Sequence, residues 1–197
     1  IRDELGKSYI SAMKAASNFS WANRQVLTHL VRRSFESFFG KSYMGLGMRL
    51  LWDVSHNIAR FEKHSIDGKA MNLCVHRKGA TRSFPKGSSE IPERYRGVGQ
   101  PVLILGDMGR ASYILKGEKG SMQKSFGTAC HGAGRILSRR KAIKMAKGRN
   151  ISEELEKMGV IVLSKSQRTL KEEMPEAYKD VTEIVNIVEE NGLATKI

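Results

Sequence analysis

Residues 58–64 (IARFEKH), the dipeptide Asp67-Gly68 and residues 71–76 (MNLCVH) decide the fold of this chain. Both stretches alternate apolar and polar side chains, which is typical of strands with one buried face. Asp-Gly between two such stretches is a favoured tight turn. We therefore predict a β-hairpin here, with His56 and Asn57 directly before its first strand.

The residues before this hairpin have a mainly helical pattern. Apolar side chains recur at helical spacing over residues 6–38, and we predict two helices with a break where Ser20 caps the second and Gly40 ends it. His29 lies within the second helix, and we assign it no role because a lone histidine there is more often packed or solvated than a ligand. Residues 48–54 fit a helix or a strand equally well.

The residues after the hairpin predict more strands and helices. Apolar runs at residues 101–105 and 111–115, separated by a Gly-rich turn, predict a second hairpin. The remaining pattern predicts helices at residues 120–126, 135–147, 152–158, 170–173 and 181–190, and a strand at residues 160–163. Together these elements predict an α+β fold in which hairpins build a mixed sheet flanked by helices.

Length and composition exclude several classes of protein. With 197 residues, of which 40% are hydrophobic, the chain can fill one large domain or one and a half small domains. No apolar run approaches the roughly 20 residues of a membrane helix, and no signal peptide is visible. A start at Ile1 suggests an absent upstream part. Because Cys74 and Cys130 lack CxxC spacing, we expect neither a disulfide framework nor a zinc module, and we expect a reducing, cytoplasmic location.

Positive charge is concentrated in the first three quarters of the chain. The 34 Lys and Arg residues exceed the 20 Asp and Glu residues, for a net charge of +14. Residues 77–149 alone contain 17 basic and 4 acidic residues, whereas residues 151–197 carry a net charge of −4. Such a field favours binding of a nucleic acid or nucleotide. The alternative is a well-solvated, robust surface, although such surfaces usually mix both signs.

A single histidine lies among very small residues at positions 129–135 (ACHGAGR). The small residues after His131 let backbone N–H groups approach an anion closely, and a predicted helix start with basic residues follows. One interpretation is a nucleophilic histidine that receives a phosphate. The other is a glycine-rich turn before a basic helix, with His131 exposed by accident.

Three further motifs allow a functional and a structural interpretation. His56 and Asn57 can ligate a metal and bind a ligand, or can serve as a capping pair. Residues 76–82 (HRKGATR) can contact phosphates, or can form a solvated basic loop. At the tip of the second hairpin, Asp107 and Ser112 can read a base edge, or can simply stabilise the turn.

Taken together, these motifs resemble the RtcB family of GTP-dependent RNA-splicing ligases. The similarity extends from about residue 5 to the end of the chain and covers only the C-terminal portion of such a ligase. Four motifs in one order carry the resemblance: residues 53–59 (DVSHNIA), residues 76–82, residues 106–109 (GDMG) with Ser112-Tyr113, and residues 131–135 with Ser138-Arg139.

The resemblance implies an RtcB-like fold and an Mn²⁺- and GTP-dependent enzyme. Such an enzyme joins an RNA 2′,3′-cyclic phosphate or 3′-phosphate end to a 5′-hydroxyl end, in tRNA splicing and RNA repair. It implies that the family's nucleophilic histidine, here His131, attacks the α-phosphate of GTP to form a GMP-histidine. The guanylate then passes to the RNA 3′-phosphate, and the 5′-hydroxyl displaces GMP.

The resemblance also implies roles for individual residues. His56 matches a manganese ligand of the family. The positions that match guanylate- or guanine-contacting residues are Asn57, Asp107, Ser112, Ala133, Gly134, Arg135 and Tyr178. From their charge and motif position, we add three candidates for contacts to RNA phosphates: Lys78, Arg82 and Arg139.

Part of the expected site lies outside this chain. The resemblance implies that residues 1–197 are the C-terminal portion of one catalytic domain, and that a cysteine, an aspartate and two histidine ligands lie upstream. Neither Cys74 nor Cys130 matches that cysteine, and a family lysine near guanine falls beyond Ile197. We therefore expect this chain alone to bind manganese weakly and not to ligate. The expected partners are GTP, RNA such as tRNA halves or other broken RNA, and a missing N-terminal portion, with no membrane.

Two other functions remain open at the level of sequence. A non-enzymatic, basic RNA-binding module explains the charge but not the small residues around His131. A metal-dependent phosphatase that uses His131 explains the histidine, and would release free phosphate without joining two ends.

Overall fold

The structure is a computed structural model that describes residues 3–197, and it confirms the α+β class. The strands form three small antiparallel sheets of two, two and three strands, rather than the one mixed sheet that we predicted. Gly79 explains part of this difference. Its φ of +67° turns the chain directly after the first hairpin, so that the next strand pairs elsewhere.

The first helix, α1, runs without a break from Glu4 to Phe39. Asp3 caps its start by accepting a hydrogen bond from the backbone N–H of Gly6, and Gly40 ends it with a φ of +62°. The predicted end is therefore confirmed, and the predicted break is wrong. The hydroxyl of Ser20 does not cap a helix, because it accepts a hydrogen bond from the Arg24 guanidinium one turn later.

An irregular segment, residues 41–56, connects α1 to the first hairpin, so residues 48–54 form neither helix nor strand. Side chains of α1 hold this segment in place. Arg24 forms an ion pair with Asp53 at 2.7 Å, and Nε1 of Trp21 donates a hydrogen bond to the hydroxyl of Ser55 at 2.9 Å. These contacts fix the residues that lead into His56.

The predicted first hairpin is confirmed. Strands β1 (Asn57–Ile66) and β2 (Lys69–Lys78) pair along their full length, and the turn has positive φ at both Asp67 and Gly68. Strand β3 (Ala80–Arg82) follows and pairs with β6 (Thr128–Cys130) in the second sheet. This pairing places the end of β6 beside the end of β2.

The third sheet contains the predicted second hairpin and one strand that we did not predict. Strands β4 (Pro101–Ile104) and β5 (Tyr113–Gly117) pair with each other, and β7 (Ala194–Lys196) pairs with β5. Their core residues pack with helix α7 (Val181–Glu190). The fully buried members of this core are Val102, Ile104, Leu115, Val181, Val185 and Ala194.

Short helices complete the fold. They are α2 (Glu93–Arg96), α3 (Lys119–Lys124), α4 (Arg139–Met145), α5 (Ile151–Lys157), α6 (Gln167–Glu172) and a 3₁₀ helix (Pro175–Ala177). The helix predicted from residue 135 starts at Arg139, because Ser138 caps it by accepting from the N–H of Lys141. Within residues 3–197, no helix combines the length and apolar character needed to cross a membrane.

The strand predicted at residues 160–163 is wrong. Val160 and Val162 pack against a second core formed by α4, α5 and the 3₁₀ helix, whereas Ile161 and Leu163 are 84% and 93% exposed. The alternation that suggested a strand is thus present. It has no partner strand among the described residues, so the segment stays irregular.

Candidate active site

Backbone hydrogen bonds place His131 at the meeting point of two sheets. His131 follows β6, whose last residue, Cys130, pairs with Ala80 of β3. The N–H of Leu105, just after β4, donates to the carbonyl of His131 at 3.0 Å, and the N–H of Ala133 donates to the carbonyl of Leu105 at 2.9 Å. The small-residue turn is therefore held on both sides of Gly132 by the end of β4.

The two histidines singled out in the sequence lie face to face. The ring centroids of His56 and His131 are 4.4 Å apart, with an angle of 1° between the ring planes. His56 reaches this position because its carbonyl accepts a hydrogen bond from the N–H of Ala80 at 3.4 Å. The side-chain oxygen of Asn57 accepts from the N–H of Gly79 at 3.1 Å. The open end of the first hairpin thus brings residues 56, 57, 79 and 131 together.

Gly79 turns the backbone directly beside His131. Its φ of +67° is strained for other residues, and a Cβ atom added there would lie 3.5 Å from Cε1 of His131. The motif at residues 76–82 therefore forms one wall of the histidine site. Lys78, directly before Gly79, is exposed at the end of β2.

The electrostatic environment favours the neutral form of His56. Burial lowers the pKa of His56, and the His131 ring together with the positive charges of Arg24 and Lys78 lowers it further. A neutral imidazole is the form that binds a metal ion. On His131, Nδ1 is buried without a hydrogen-bond partner among the described residues, which leaves Nε2 as the nitrogen available to a ligand.

The described residues do not assemble a complete metal centre. Residues 3–197 contain no group of three or more His, Cys, Asp or Glu side chains placed to hold a metal ion. Both cysteines are free, and burial raises the pKa of the Cys130 thiol, which disfavours the thiolate that a metal requires. His56 is therefore a single candidate ligand, short of the three or more donors of a complete centre.

The residues after His131 lead to a cluster around Tyr178. Arg135 pairs with Glu173 at 2.9 Å, donates to the Tyr178 hydroxyl at 2.9 Å and lies over the Tyr178 ring. The Tyr178 hydroxyl also donates to Glu173. Burial raises the pKa of Tyr178, and the Glu173 carboxylate raises it further. The guanidinium of Arg135 is thus engaged with protein groups, and it fixes the position of Tyr178. Gly134, by contrast, is exposed, with open space where a Cβ atom would lie.

The turn at residues 106–112 lies beside Gly132, because Leu105 pairs with it. The carboxylate of Asp107 is fully buried and accepts hydrogen bonds from the N–H of Gly109 at 2.9 Å and from Arg110 at 2.8 Å. The hydroxyl of Ser112 accepts from the N–H of Gly106 at 3.2 Å. Between the two interpretations of this tip, the structure favours turn stabilisation for Asp107. Ser112 remains exposed.

The three candidates for RNA phosphates differ in accessibility. Lys78 is exposed beside the histidine pair, and Arg139 is exposed at the start of α4. The guanidinium of Arg139 lies 3.7 Å from the Glu172 carboxylate and 3.6 Å from that of Glu173, so its charge is partly compensated. Arg82 differs from these two residues, because its guanidinium is ion-paired inside the protein with Glu62 and Glu90. Its contact with an RNA phosphate stays a prediction.

Arg82 belongs to a buried charged cluster that the sequence analysis missed. Glu62 accepts two hydrogen bonds from Arg77, at 2.8 and 2.9 Å, and lies 3.1 Å from Nε of Arg82 and 3.3 Å from His64. The Arg82 guanidinium also covers the Phe84 ring. The only signal in the sequence was the presence of two ionisable residues, Glu62 and His64, at alternate positions of β1. The arginine partners of Glu62 come from other strands.

Comparison with known proteins identifies the family to which the chain belongs. The family model described as "tRNA-splicing ligase RtcB" matches residues 1–197. A tRNA-splicing ligase RtcB from Thermococcus kodakarensis is 50% identical over 196 residues, which are 100% of this chain and 41% of that protein. Relatives of the same name are 52% identical in Pyrococcus abyssi, over 98% of this chain and 21% of that protein, and 47% identical in Methanococcus maripaludis, over 100% and 41%.

The chain corresponds to only part of the length of each relative. The chain spans about two fifths of the Thermococcus and Methanococcus proteins and about one fifth of the Pyrococcus protein. The match nevertheless runs through every motif of the histidine site, from the irregular segment before β1 to Tyr178. This chain belongs to the tRNA-splicing ligase RtcB family.

Proposed function

We propose that this chain is the C-terminal portion of a catalytic domain that joins RNA ends. The joined ends are a 2′,3′-cyclic phosphate or 3′-phosphate and a 5′-hydroxyl, as in tRNA splicing and RNA repair. One observation carries the proposal: His131, in a turn of small residues, stacks on His56 in a chain whose relatives are named tRNA-splicing ligases.

His131 acts as the nucleophile in the proposed first step. Its Nε2 attacks the α-phosphate of GTP, so that a P–N bond forms, a P–O bond breaks and pyrophosphate leaves. The imidazole proton passes to water or to the departing pyrophosphate, and a GMP-histidine results. The stacked geometry helps, because contact with His56, with ring centroids 4.4 Å apart, restricts the orientation of the His131 ring.

The guanylate then activates the RNA. Where the RNA end is a 2′,3′-cyclic phosphate, water first opens it by breaking the P–O2′ bond, which leaves a 3′-phosphate and a 2′-hydroxyl. A 3′-phosphate oxygen then attacks the phosphorus of the GMP-histidine, and His131 leaves. The RNA 5′-hydroxyl next attacks the activated 3′-phosphate and releases GMP, which completes the phosphodiester. Small residues around the nucleophile serve these steps. Gly134 leaves open space on one side of the turn, and Gly132 lets the backbone pass close to the carbonyl of Leu105.

Other described residues bind and orient the nucleotide in this proposal. Lys78 is exposed beside the histidine pair and offers charge to a phosphate. Tyr178 offers a ring face to guanine, and Arg135 with Glu173 fixes that ring. Ser112 is exposed at the tip of the turn beside Gly132 and offers a hydroxyl. Asn57 orients the loop at Gly79, which borders His131.

Manganese is the proposed metal, and His56 supplies one of its ligands. When bound, the metal would neutralise phosphate charge and polarise the P–O bonds. Because the described residues hold no third donor beside the histidine pair, the remaining ligands belong to the part of the relatives that this chain does not match. We therefore propose that the 197-residue chain alone does not ligate RNA.

An RNA-joining assay tests this proposal against its alternatives. The chain is produced within a polypeptide of the relatives' full length and mixed with GTP, Mn²⁺ and an RNA carrying 3′-phosphate and 5′-hydroxyl ends. A ligase yields joined RNA that depends on GTP, and His131→Ala abolishes it. A phosphatase yields free phosphate without joining, and a binding module yields neither product. Either of these last results would reject the proposed function.

A further inference from the structure

A pocket of about 400 Å³ lies between α1, the irregular segment and β1, and the site described so far does not use it. Its volume is in the range of small-ligand sites. Both tryptophans of the chain line it, together with charged and polar side chains. The polar lining consists of Asp53, Ser55, Arg60, Arg82, Glu90 and Gln100.

The two tryptophans are fixed in place and present aromatic surface to the pocket. Trp21 is held by its hydrogen bond to Ser55, and it remains 39% exposed. Trp52 is held edge-to-face by Tyr95, with ring centroids 4.8 Å apart. The Nε1 donor of Trp52 is buried and has no acceptor among the described residues. Aromatic faces with an unused donor are suited to a planar, polar ligand such as a nucleobase.

The charge of the pocket favours an anion. Asp53 is neutralised by Arg24 at 2.7 Å, and Arg82 is neutralised chiefly by Glu62 at 3.1 Å. Arg60 is different, because no carboxylate of the described residues pairs with it. Its guanidinium lies 5.7 Å from the centre of the Trp21 ring. Arg60 therefore carries a positive charge at the edge of an aromatic surface.

The surroundings of Arg60 reinforce this preference. Burial lowers the pKa of Arg82, the Glu62 charge opposes this, and the like charge of Arg60 lowers it further. The remaining charged group of the lining, Glu90, lies 3.4 Å from Arg82 and half-exposed. An anion beside Arg60 would relieve the repulsion between the two guanidinium groups.

We propose that this pocket binds one nucleotide of a single-stranded RNA, with its base against Trp21 and Trp52 and its phosphate at Arg60. The inference rests on the proposed function for its choice of RNA. The pocket also adjoins the histidine site along the chain, since Ser55 lines it and His56 follows directly. A nucleotide held here would anchor an RNA strand whose end lies at His131.

Tryptophan fluorescence tests the proposal directly, because the chain has only two tryptophans and both line the pocket. The 197-residue chain is titrated with a single-stranded RNA oligonucleotide that has hydroxyl groups at both ends, and its intrinsic fluorescence is followed. Stacking should quench the emission saturably. Arg60→Gln should weaken binding by about tenfold and reduce the slope of affinity against salt by about one.

A matched control and a second measurement make the result decisive. Lys63→Gln removes an exposed positive charge three residues along the same strand, and it should leave affinity nearly unchanged. RNA binding is also measured by fluorescence anisotropy of a labelled oligonucleotide. Binding without tryptophan quenching would overturn the proposal that RNA occupies this pocket. Equal weakening by the two variants would overturn it as well.

Separate experiments can reject the proposed function and the proposed RNA pocket. Formation of the GMP-histidine needs no RNA, so Arg60→Gln in the full-length polypeptide should leave guanylylation intact and raise the KM for RNA about tenfold. If quenching occurs in the 197-residue chain but is absent in the full-length polypeptide, another part of the protein fills the pocket, and the proposal is rejected.

Discussion

At His131, reactivity depends on neighbours that are distant in sequence. The ring is ordinary by itself, and its residue type predicts nothing about its partners. The structure adds His56 at stacking distance, a glycine wall at Gly79, and an unpartnered, buried Nδ1 that directs ligands to the other nitrogen. The chemistry proposed for this residue follows from those three contacts.

Glu62 is the buried carboxylate that joins Arg77 and Arg82 at the first hairpin. Burial alone would raise the pKa of Glu62, but hydrogen bonds and charge from Arg77, with help from Arg82 and His64, lower it below its ordinary value. Glu62→Gln leaves the Arg77 guanidinium buried without a counter-charge, and it leaves Arg82 with only the half-exposed Glu90. We expect it to reduce the free energy of unfolding by about 3–5 kcal/mol at neutral pH.

The pH dependence of this loss is a further check, measured by urea denaturation of both proteins. Because the folded pKa is depressed, the carboxylate stabilises fully above its unfolded value of 4.5, and this contribution is lost as pH falls through the folded pKa. The difference between wild type and Glu62→Gln should therefore shrink in acid. A difference that stays constant or grows as pH falls would refute the assignment.

Tyr178 reports on the cluster that fixes it. Its pKa is raised by burial first and by Glu173 second, while Arg135 opposes them. Glu173→Gln removes a negative charge, so the pKa of Tyr178 should fall. The measurement is a titration of tyrosinate absorbance, with Tyr178→Phe identifying its signal among the five tyrosines. An unchanged or higher pKa would show that Glu173 does not act on this ring.

Among the elements, helix starts allow a paired test of capping. Ser138 caps α4 through the N–H of Lys141, whereas Ser20 lies inside α1 and contacts only a side chain. Ser138→Ala should cost about 1 kcal/mol of stability. Ser20→Ala should change it by less than about 0.5 kcal/mol. Thermal or urea unfolding measures both, and equal losses would contradict the uninterrupted α1.

Elements with local determinants were predictable from the sequence, and elements with distant partners were not. The Asp67-Gly68 turn and the apolar periodicity of α7 act within a few residues, and both predictions are confirmed. The pairing of β5 with β7 joins residues about eighty positions apart, and no local pattern encodes it. The apparent strand at residues 160–163 fails for the same reason, since a strand exists only with a partner.

Some features of the candidate site were also predictable from the sequence, and others were not. The motifs and the family resemblance selected His56, Asn57 and His131, and the structure brings these residues together. The engagement of Asp107 and Arg82 with protein groups could not be anticipated. Asp107 is engaged because its carboxylate is buried in a turn. Arg82 is engaged because Glu62 lies buried beside Arg77, a contact that only the folded hairpin creates.

At the scale of the whole molecule, two properties bear on the proposed function: the net charge and the number of metal donors beside the histidine pair. The net charge of +14 suits an RNA substrate, and its binding should weaken steeply as salt is raised. The histidine pair, however, lacks a third metal donor within residues 3–197. Catalysis is therefore expected from a polypeptide of the relatives' length, and measurable ligation by the 197-residue chain alone would contradict the proposed division of the metal site.

The central claim is that His131 carries the guanylate, and one measurement tests it most directly. The full-length polypeptide is incubated with GTP and Mn²⁺ without RNA, digested under conditions that preserve P–N bonds, and mapped by mass spectrometry. We predict a mass increase of one guanylate on the peptide that contains His131, and its loss in His131→Ala but not in Cys130→Ala. A guanylate mapped to any other residue, or an adduct that persists in His131→Ala, would contradict the account.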